Sequence, residues 1–223
     1  MKVTIKLSGS LFNNPFREIR RLSRVITRLY RNEGIRFALV AGGGKIARTY
    51  ISLGRKLGMD ESSLDELGIA VTRLNARLII AGLRDIAYPK VPSSLEELDL
   101  AFSTGKVVVM GGLYPGQSTN AVAALVAERI KSDLFLNTTN VEGIYDKDPN
   151  IYPNAKLFKQ IGVGELKELL KDKAFVAGTY ELLDPISVRV IERSKIKCIV
   201  LKYDPSLIEK AIKMGNVGTT IVV

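Results

Sequence analysis

The sequence predicts an α/β fold in which a mainly parallel β-sheet is covered by helices on both faces. Short apolar runs of strand length alternate along the chain with stretches whose apolar residues recur at helical spacing. Strands read as continuous apolar runs when both faces of their sheet are buried. At 223 residues, 46% of them hydrophobic, the chain is long enough for one domain with a substantial core.

Strand and helix signals alternate in the first half of the chain. Residues 3–7 predict a strand, and Asn14-Pro15 predicts a helix start with proline at the first helical position. Gly34 ends this helix, residues 35–40 predict the second strand, and Gly58 ends the next helix. Residues 60–87 then predict one or two further helices.

The second half continues the pattern. Residues 106–110 and 134–136 predict strands on either side of an alanine-rich helix at 119–130. Helices near 165–170 and 185–193 precede a strand at 196–201, a short helix and a last strand at 219–223. Because no linker or repeat interrupts the chain, we expect one compact unit over residues 1–223, with any division into lobes near 130–135.

Composition restricts the chemistry. The net charge of +10 favours a polyanionic partner, either a nucleotide or a nucleic acid, although arginines that merely cover helix surfaces are the alternative. The chain contains no histidine, the commonest general base and metal ligand. Nucleophile systems built on Ser-His or Cys-His and zinc sites built on histidine are therefore excluded.

The sequence also indicates a cellular compartment. No stretch approaches the roughly 18 to 20 apolar residues of a membrane helix, and the first ten residues do not read as a signal peptide. We therefore expect a cytoplasmic protein without a membrane partner. Cys198, the single cysteine, lies in an apolar run and is expected to be a buried strand residue rather than a nucleophile.

Four glycine-rich loops follow predicted strands, at residues 8–10, 42–44, 111–119 and 138–143. Ligands of open α/β sheets bind beyond the carboxyl ends of the strands. Glycine allows backbone N–H groups to approach a phosphate closely, and the start of a following helix adds a favourable dipole. Four such loops predict a site that holds several phosphates.

Two familiar phosphate-binding motifs were compared with these loops. The P-loop pattern fails because Ile46 follows Gly44-Lys45 and position 39 is Leu39. The dinucleotide fingerprint fits Gly42, Gly44 and Ala47, but no acidic residue ends the next strand. Lys6, at the end of the first strand, either reaches solvent or places a cation over transferring phosphate oxygens.

Taken together, the motifs resemble the amino acid kinase superfamily and, within it, the uridylate (UMP) kinases of archaeal type. The resemblance covers nearly the whole chain. It rests on residues 6–10 (KLSGS), 42–48 (GGGKIAR), 65–69 (DELGI), 72–76 (TRLNA), 111–119 (GGLYPGQST), 139–149 (TNVEGIYDKDP) and 177–185 (AGTYELLDP).

This resemblance implies a three-layer αβα sandwich, with an acceptor lobe over about residues 1–132 and an ATP lobe over about 133–223. It implies transfer of the γ-phosphoryl group of ATP to UMP in pyrimidine nucleotide biosynthesis, with Mg²⁺ as cofactor. No metal ligand from the protein is expected. ATP and UMP are the expected partners, nucleic acid is not, and a homohexamer is implied.

The resemblance also assigns roles to residues. Lys6, Arg48 and Asp184 are the expected catalytic group, with Asp184 organising the lysine and the glycine loops. The residues expected to bind ATP are Lys6, Gly9, Ser10, Gly44, Arg48, Thr139, Asn140, Tyr145 and Asp148. The residues expected to bind UMP are Gly43, Asp65, Leu113, Tyr114, Pro115, Gly116, Gln117, Ser118 and Thr119.

Alternatives remain open at this point. Asp65 either holds the ribose of UMP or begins a helix and favours it through the macrodipole. Kinases of isopentenyl phosphate belong to the same superfamily but use a histidine, which this chain lacks. Another phosphotransferase of the superfamily, or a regulator that senses nucleotides or binds nucleic acid without catalysis, are the competing functions.

Overall fold

The computed structural model describes residues 1–171 and 183–223, so residues 177–182 of the last motif lie outside the described part. Within that part, seven strands form one sheet in the order β3-β2-β1-β4-β6-β7-β5. The strands are β1 (Lys2–Leu7), β2 (Arg36–Ala41), β3 (Val108–Met110), β4 (Leu134–Thr139), β5 (Gln160–Gly162), β6 (Cys198–Lys202) and β7 (Thr219–Val222). Their pairings are parallel except for β6 with β7, which confirms the predicted mainly parallel sheet.

Helices connect the strands. They are α1 (Pro15–Glu33), α2 (Gly44–Lys56), α3 (Glu61–Leu83), α4 (Leu95–Ser103), α5 (Thr119–Arg129), α6 (Val163–Lys171), α7 (Pro185–Ser194) and α8 (Pro205–Met214). The helix α1 starts at Pro15 and ends at Gly34, whose φ of 63° is the left-handed conformation that glycine adopts readily.

Two apolar cores, one on each face of the sheet, make the fold three-layered. Along β1, Val3, Ile5 and Leu7 face the core that contains α1, α3 and α8. The other core contains α4, α5, α6 and α7. Because side chains alternate along a strand, Thr4 and Lys6 belong to the face of β1 that α5 covers.

Several sequence expectations need correction. Residues 60–87, predicted as one or two helices, form one long helix followed by a short 3-10 turn. Asp65 does not begin a helical stretch, because α3 starts at Glu61 and Asp60 caps it by accepting from the N–H of Ser63. The helix α4 and the strand β5 were not predicted, and β3 starts at Val108 rather than at residue 106.

Candidate active site

The carboxyl ends of four neighbouring strands lie side by side, and the edge of the sheet that they form is the one at which these strands end. Lys6 on β1 lies beside Val40 on β2 and Asn137 on β4, and Val40 in turn lies beside Met110 on β3. The loops that follow these strands include all four glycine-rich segments. The fold therefore brings the predicted phosphate-binding loops side by side.

Lys6 provides a buried cation at this edge. Its side chain is 9% exposed, and its Nζ donates to the carbonyl oxygen of Thr138 at 3.3 Å. Little water reaches the ammonium group, so its attraction for an anion is less screened than at an open surface. The structure thus favours the functional reading of Lys6 over a lysine that reaches solvent.

A hydroxyl of β4 holds the loop that follows β1. The Oγ1 of Thr138 accepts from the N–H of Ser8 at 2.8 Å and donates to the carbonyl of Lys6 at 2.9 Å. The Oγ of Ser8 accepts from the N–H of Ser10 at 3.3 Å and so caps the 3-10 helix Gly9–Asn13. Gly9 and Ser10, expected to line the ATP phosphates, are fixed at the carboxyl end of β1.

The first two glycine loops touch each other through bare backbone. Gly44 has a φ of 65°, and a Cβ on it would lie 2.7 Å from the carbonyl oxygen of Gly9. A Cβ on Gly9 would lie 2.4 Å from the Cα of Gly44, and one on Gly43 would lie 2.4 Å from the Cβ of Ala47. Side chains at these positions would therefore force the loops apart.

The third loop is fastened to α3 and to α7. Asp65, in the second turn of α3, accepts from the N–H of Gly116 at 2.7 Å. Ser118 caps α5, and its Oγ donates to Asp184 Oδ2 at 2.5 Å. The other oxygen of Asp184 caps α7 by accepting from the N–H groups of Ile186 and Ser187. Asp184 consequently joins the starts of two helices at the site.

The remaining residues expected at the acceptor differ in exposure. The side chain of Leu113 is buried in the core, whereas Tyr114, Pro115 and Gly116 are exposed and Thr119 is half-buried. The Oε1 of Gln117 is buried and accepts no hydrogen bond from the described part of the chain. A buried acceptor of this kind usually has a partner, so a ligand or water is the natural donor.

The residues expected on the adenine side follow β4. Thr139 is buried, and its Oγ1 donates to Asn140 Oδ1 at 3.1 Å. Tyr145 is half-buried, and its backbone forms an isolated antiparallel β-bridge with Leu157. The carboxylate of Asp148 stabilises its own loop by accepting from the N–H of Asn150 at 2.9 Å.

Arg48 is exposed on α2, one turn after the triple glycine, and no hydrogen bond or ion pair holds its guanidinium to a described residue. It is thus available to an anion.

One turn of α3 contributes contacts that the sequence motif did not reveal. Thr72 Oγ1 accepts from the N–H of Gly112 at 2.7 Å, and Arg73 donates to the carbonyls of Gly112 (3.1 Å) and Leu113 (3.2 Å). Asn75 donates to the triple-glycine loop. The sequence did contain a signal for these contacts. Thr72 and Asn75 lie three positions apart on an apolar face of the helix, and buried polar groups must have hydrogen-bond partners.

Two further expectations concern cysteine and metal. Cys198 is fully buried on β6, and burial raises the pKa of its thiol, which confirms the structural reading. No cluster of three or more acidic or cysteine side chains that could hold a metal occurs in residues 1–171 or 183–223. None of the helices in these two ranges combines the length and apolar character needed to cross a bilayer.

Comparisons with known proteins agree with this geometry. The sequence model of the amino acid kinase family matches residues 1–202. The uridylate kinase of Sulfolobus acidocaldarius is 47% identical, covering 100% of this chain and 99% of the relative. That of Metallosphaera sedula is 50% identical, covering 92% of this chain and 91% of the relative.

Solved structures of uridylate and UMP kinases have the same fold. The crystal structure of uridylate kinase from Archaeoglobus fulgidus superposes with a TM-score of 0.90 at 40% identity, covering 100% of both chains. The UMP kinase structure from Ureaplasma parvum shares the fold at 23% identity, with a TM-score of 0.81. These matches confirm the family that the motifs predicted, and the chain belongs to the amino acid kinase family.

Proposed function

We propose that this protein is a UMP kinase, which transfers the γ-phosphoryl group of ATP to UMP and releases UDP and ADP. The observation that carries the proposal is the meeting of Lys6 with glycine loops at the carboxyl ends of β1, β2, β3 and β4. Full-length similarity to uridylate kinases at 40–50% identity supports the same acceptor.

The proposed reaction does not need a general base. The second pKa of a phosphate monoester is near 6, so the acceptor phosphate is already an anionic nucleophile at neutral pH. Catalysis then depends on positioning and on stabilising charge on the transferred group. The absence of histidine is consistent with such a site.

Three groups would share this task. The Lys6 ammonium would lie over the transferring oxygens, where its low exposure strengthens its effect. Backbone N–H groups of Gly43 and Gly44 would face the UMP and ATP phosphates. Asp184, which contacts Ser118, would act by fixing the starts of α5 and α7.

The acceptor side would be defined by Asp65. One of its carboxylate oxygens accepts from the N–H of Gly116, and the other accepts no hydrogen bond from a described residue. A carboxylate oxygen suits a ribose hydroxyl as donor. The loop at residues 113–119 would enclose the base.

A divalent metal would accompany ATP, and we propose Mg²⁺. The described residues near the glycine loops offer hydroxyls, backbone groups and the cations Lys6 and Arg48 rather than a carboxylate cluster. This set fits a metal carried mainly by phosphate oxygens and water. When bound, such a metal would neutralise negative charge that develops on the phosphates during transfer.

Several finer features remain predictions. The acceptor and ATP lobes at about residues 1–132 and 133–223, the roles of Tyr145 and Asp148 at the adenine nucleotide, and the homohexamer come from the family resemblance. A cytoplasmic location and a place in pyrimidine biosynthesis follow from the proposed reaction.

One assay separates this function from its alternatives. The protein is supplied with ATP and Mg²⁺, and ADP release is measured with UMP, CMP, carbamate or N-acetylglutamate as acceptor. Salt-dependent binding to duplex DNA is measured in parallel. Turnover with UMP above all other acceptors is expected. Turnover only with carbamate or N-acetylglutamate would identify another kinase, and DNA binding without any turnover would identify a regulator.

A further inference from the structure

A buried amide in α3 holds the triple-glycine turn. The Nδ2 of Asn75 donates to the carbonyl oxygens of Gly42 at 2.9 Å and Gly43 at 3.3 Å. Asn75 is 4% exposed and adjoins the apolar face of α3 that carries Ala76 and Ile79. Burying an amide is unfavourable unless its hydrogen bonds are made, so these two carbonyls offset its burial.

The two hydrogen bonds fix the direction of two peptide planes. In a trans peptide the C=O and the N–H point in opposite directions, and the described chain contains no cis peptide. Because the carbonyl of Gly42 points toward Asn75, the N–H of Gly43 points away from it. The hydrogen bond to the carbonyl of Gly43 fixes the direction of the N–H of Gly44 in the same way.

Both N–H groups are available to a ligand. Neither donates a hydrogen bond to the described part of the chain, as is usual for the first donors of a helix. Glycine at both positions leaves bare backbone around them, with the macrodipole of α2 behind. An anion can therefore approach both donors closely.

We propose that Asn75 is a positioning residue that holds the N–H groups of Gly43 and Gly44 toward the phosphates of the two substrates. A single amide group would thus orient the donor that faces the acceptor phosphate and the donor that faces ATP. The distance between the two phosphates in the ternary complex would depend on it. This inference rests on the proposed function for the identity of the acceptor.

The test compares ligands with and without phosphate. Affinities for UMP and uridine, and for ATP and adenosine, are measured by calorimetry in the parent and in Asn75→Ala. We expect the UMP-to-uridine and ATP-to-adenosine affinity ratios to fall about tenfold each. This corresponds to the loss of one hydrogen bond of about 1.4 kcal/mol at each phosphate. Turnover with ATP and UMP should fall about 10- to 100-fold, because misplacement by about 1 Å can cost about 100-fold.

The matched control is Ile79→Val, a buried apolar change one turn further along α3 that removes no hydrogen-bonding group. It should lower the thermal unfolding temperature and leave both affinity ratios at the parent value. Should Asn75→Ala fail to fold, Asn75→Leu keeps the approximate size of the side chain, has no donor at any pH, and should lower the same two affinity ratios.

Two results would overturn the proposal. One is a folded Asn75 variant with unchanged affinity ratios, and the other is failure of both variants to fold, which would make Asn75 a residue of the core only. A parent protein that binds ATP but does not use UMP would refute the proposed function instead. In that case the ATP and adenosine measurement would still decide the role of Asn75 at Gly44.

Discussion

Replacing Lys6 by methionine tests the central electrostatic element of the site. Lys6 is 9% exposed and lies at the edge where the glycine loops meet. Methionine has nearly the same length and fills the same space, so the change removes the charge with little loss of packing. The ammonium group donates to the carbonyl of Thr138 over 3.3 Å, and loss of a hydrogen bond from a charged group should lower stability by about 1.5 to 3 kcal/mol.

The effect on catalysis should be much larger. Loss of one preorganised electrostatic contact costs roughly 10² to 10³ in kcat, equivalent to about 3 to 4 kcal/mol of barrier. The KM for UMP should change little, because the interaction strengthens mainly in the transition state. The measurements are steady-state ADP release with UMP as acceptor and thermal unfolding of both proteins.

The control for this prediction is Lys106→Met. This exposed lysine precedes the amino end of β3, whereas the site lies at the carboxyl end of that strand. It should retain the parent kcat. If Lys6→Met folds and keeps more than about a third of the parent kcat, Lys6 does not stabilise the transferring phosphate, and the mechanism proposed for this edge is incorrect.

Three further predictions address other parts of the molecule. Arg48→Ala should weaken binding of both UMP and an ATP analogue, because its exposed guanidinium, which pairs with no described residue, can bind either anion. Unchanged affinity for both ligands would mean that Arg48 is only a surface residue of α2. The parent should prefer UMP over dUMP by roughly tenfold to a hundredfold, since dUMP leaves a carboxylate oxygen of Asp65 unpaired. Asp65→Ala should lower kcat/KM for UMP and reduce this preference. An unchanged UMP-to-dUMP ratio would contradict ribose binding. Burial opposes ionisation of Asp204, but hydrogen bonds from Ser206 and Arg21 outweigh it and lower its pKa to about 2 from 3.8. Its stabilising effect is thus present above pH of about 4 and lost between about 4 and 2, so Asp204→Asn should flatten acid unfolding in that range; identical curves would refute this.

The sequence alone was sufficient for the elements that depend on local signals. The proline after Asn14 marks the start of α1, and the glycine at position 34 marks its end. Apolar runs predicted β1 and β2. The helix α4 was also predictable, since Ser94 caps it three residues before Glu97, a spacing typical of helix starts. The short strand β5 has no comparable signal, because only the central one of its three residues is buried.

The direction of β7 could not be read from the sequence. The four β-branched residues of β7 favour a strand but do not fix the direction of its pairing. That direction depends on the end of the sheet at which the chain returns after α8. There Gly218, with a φ of 65°, packs so closely against Val200 that a Cβ would lie 2.1 Å from its carbonyl oxygen. That contact exists only once β6 and β7 are paired.

The chemistry of the site divides in the same way. Glycine-rich loops after apolar strands, a lysine at the end of β1 and the absence of histidine were sufficient to predict a phosphate site without a general base, because these features are local or compositional. The contacts that assemble the site join distant residues, such as Asp65 with Gly116 and Ser118 with Asp184. The role of Asn75 likewise depends on which carbonyls α3 meets across the fold. Only tertiary packing decides these partners, since a polar side chain in the sequence specifies its hydrogen-bonding capacity but not the group that will satisfy it.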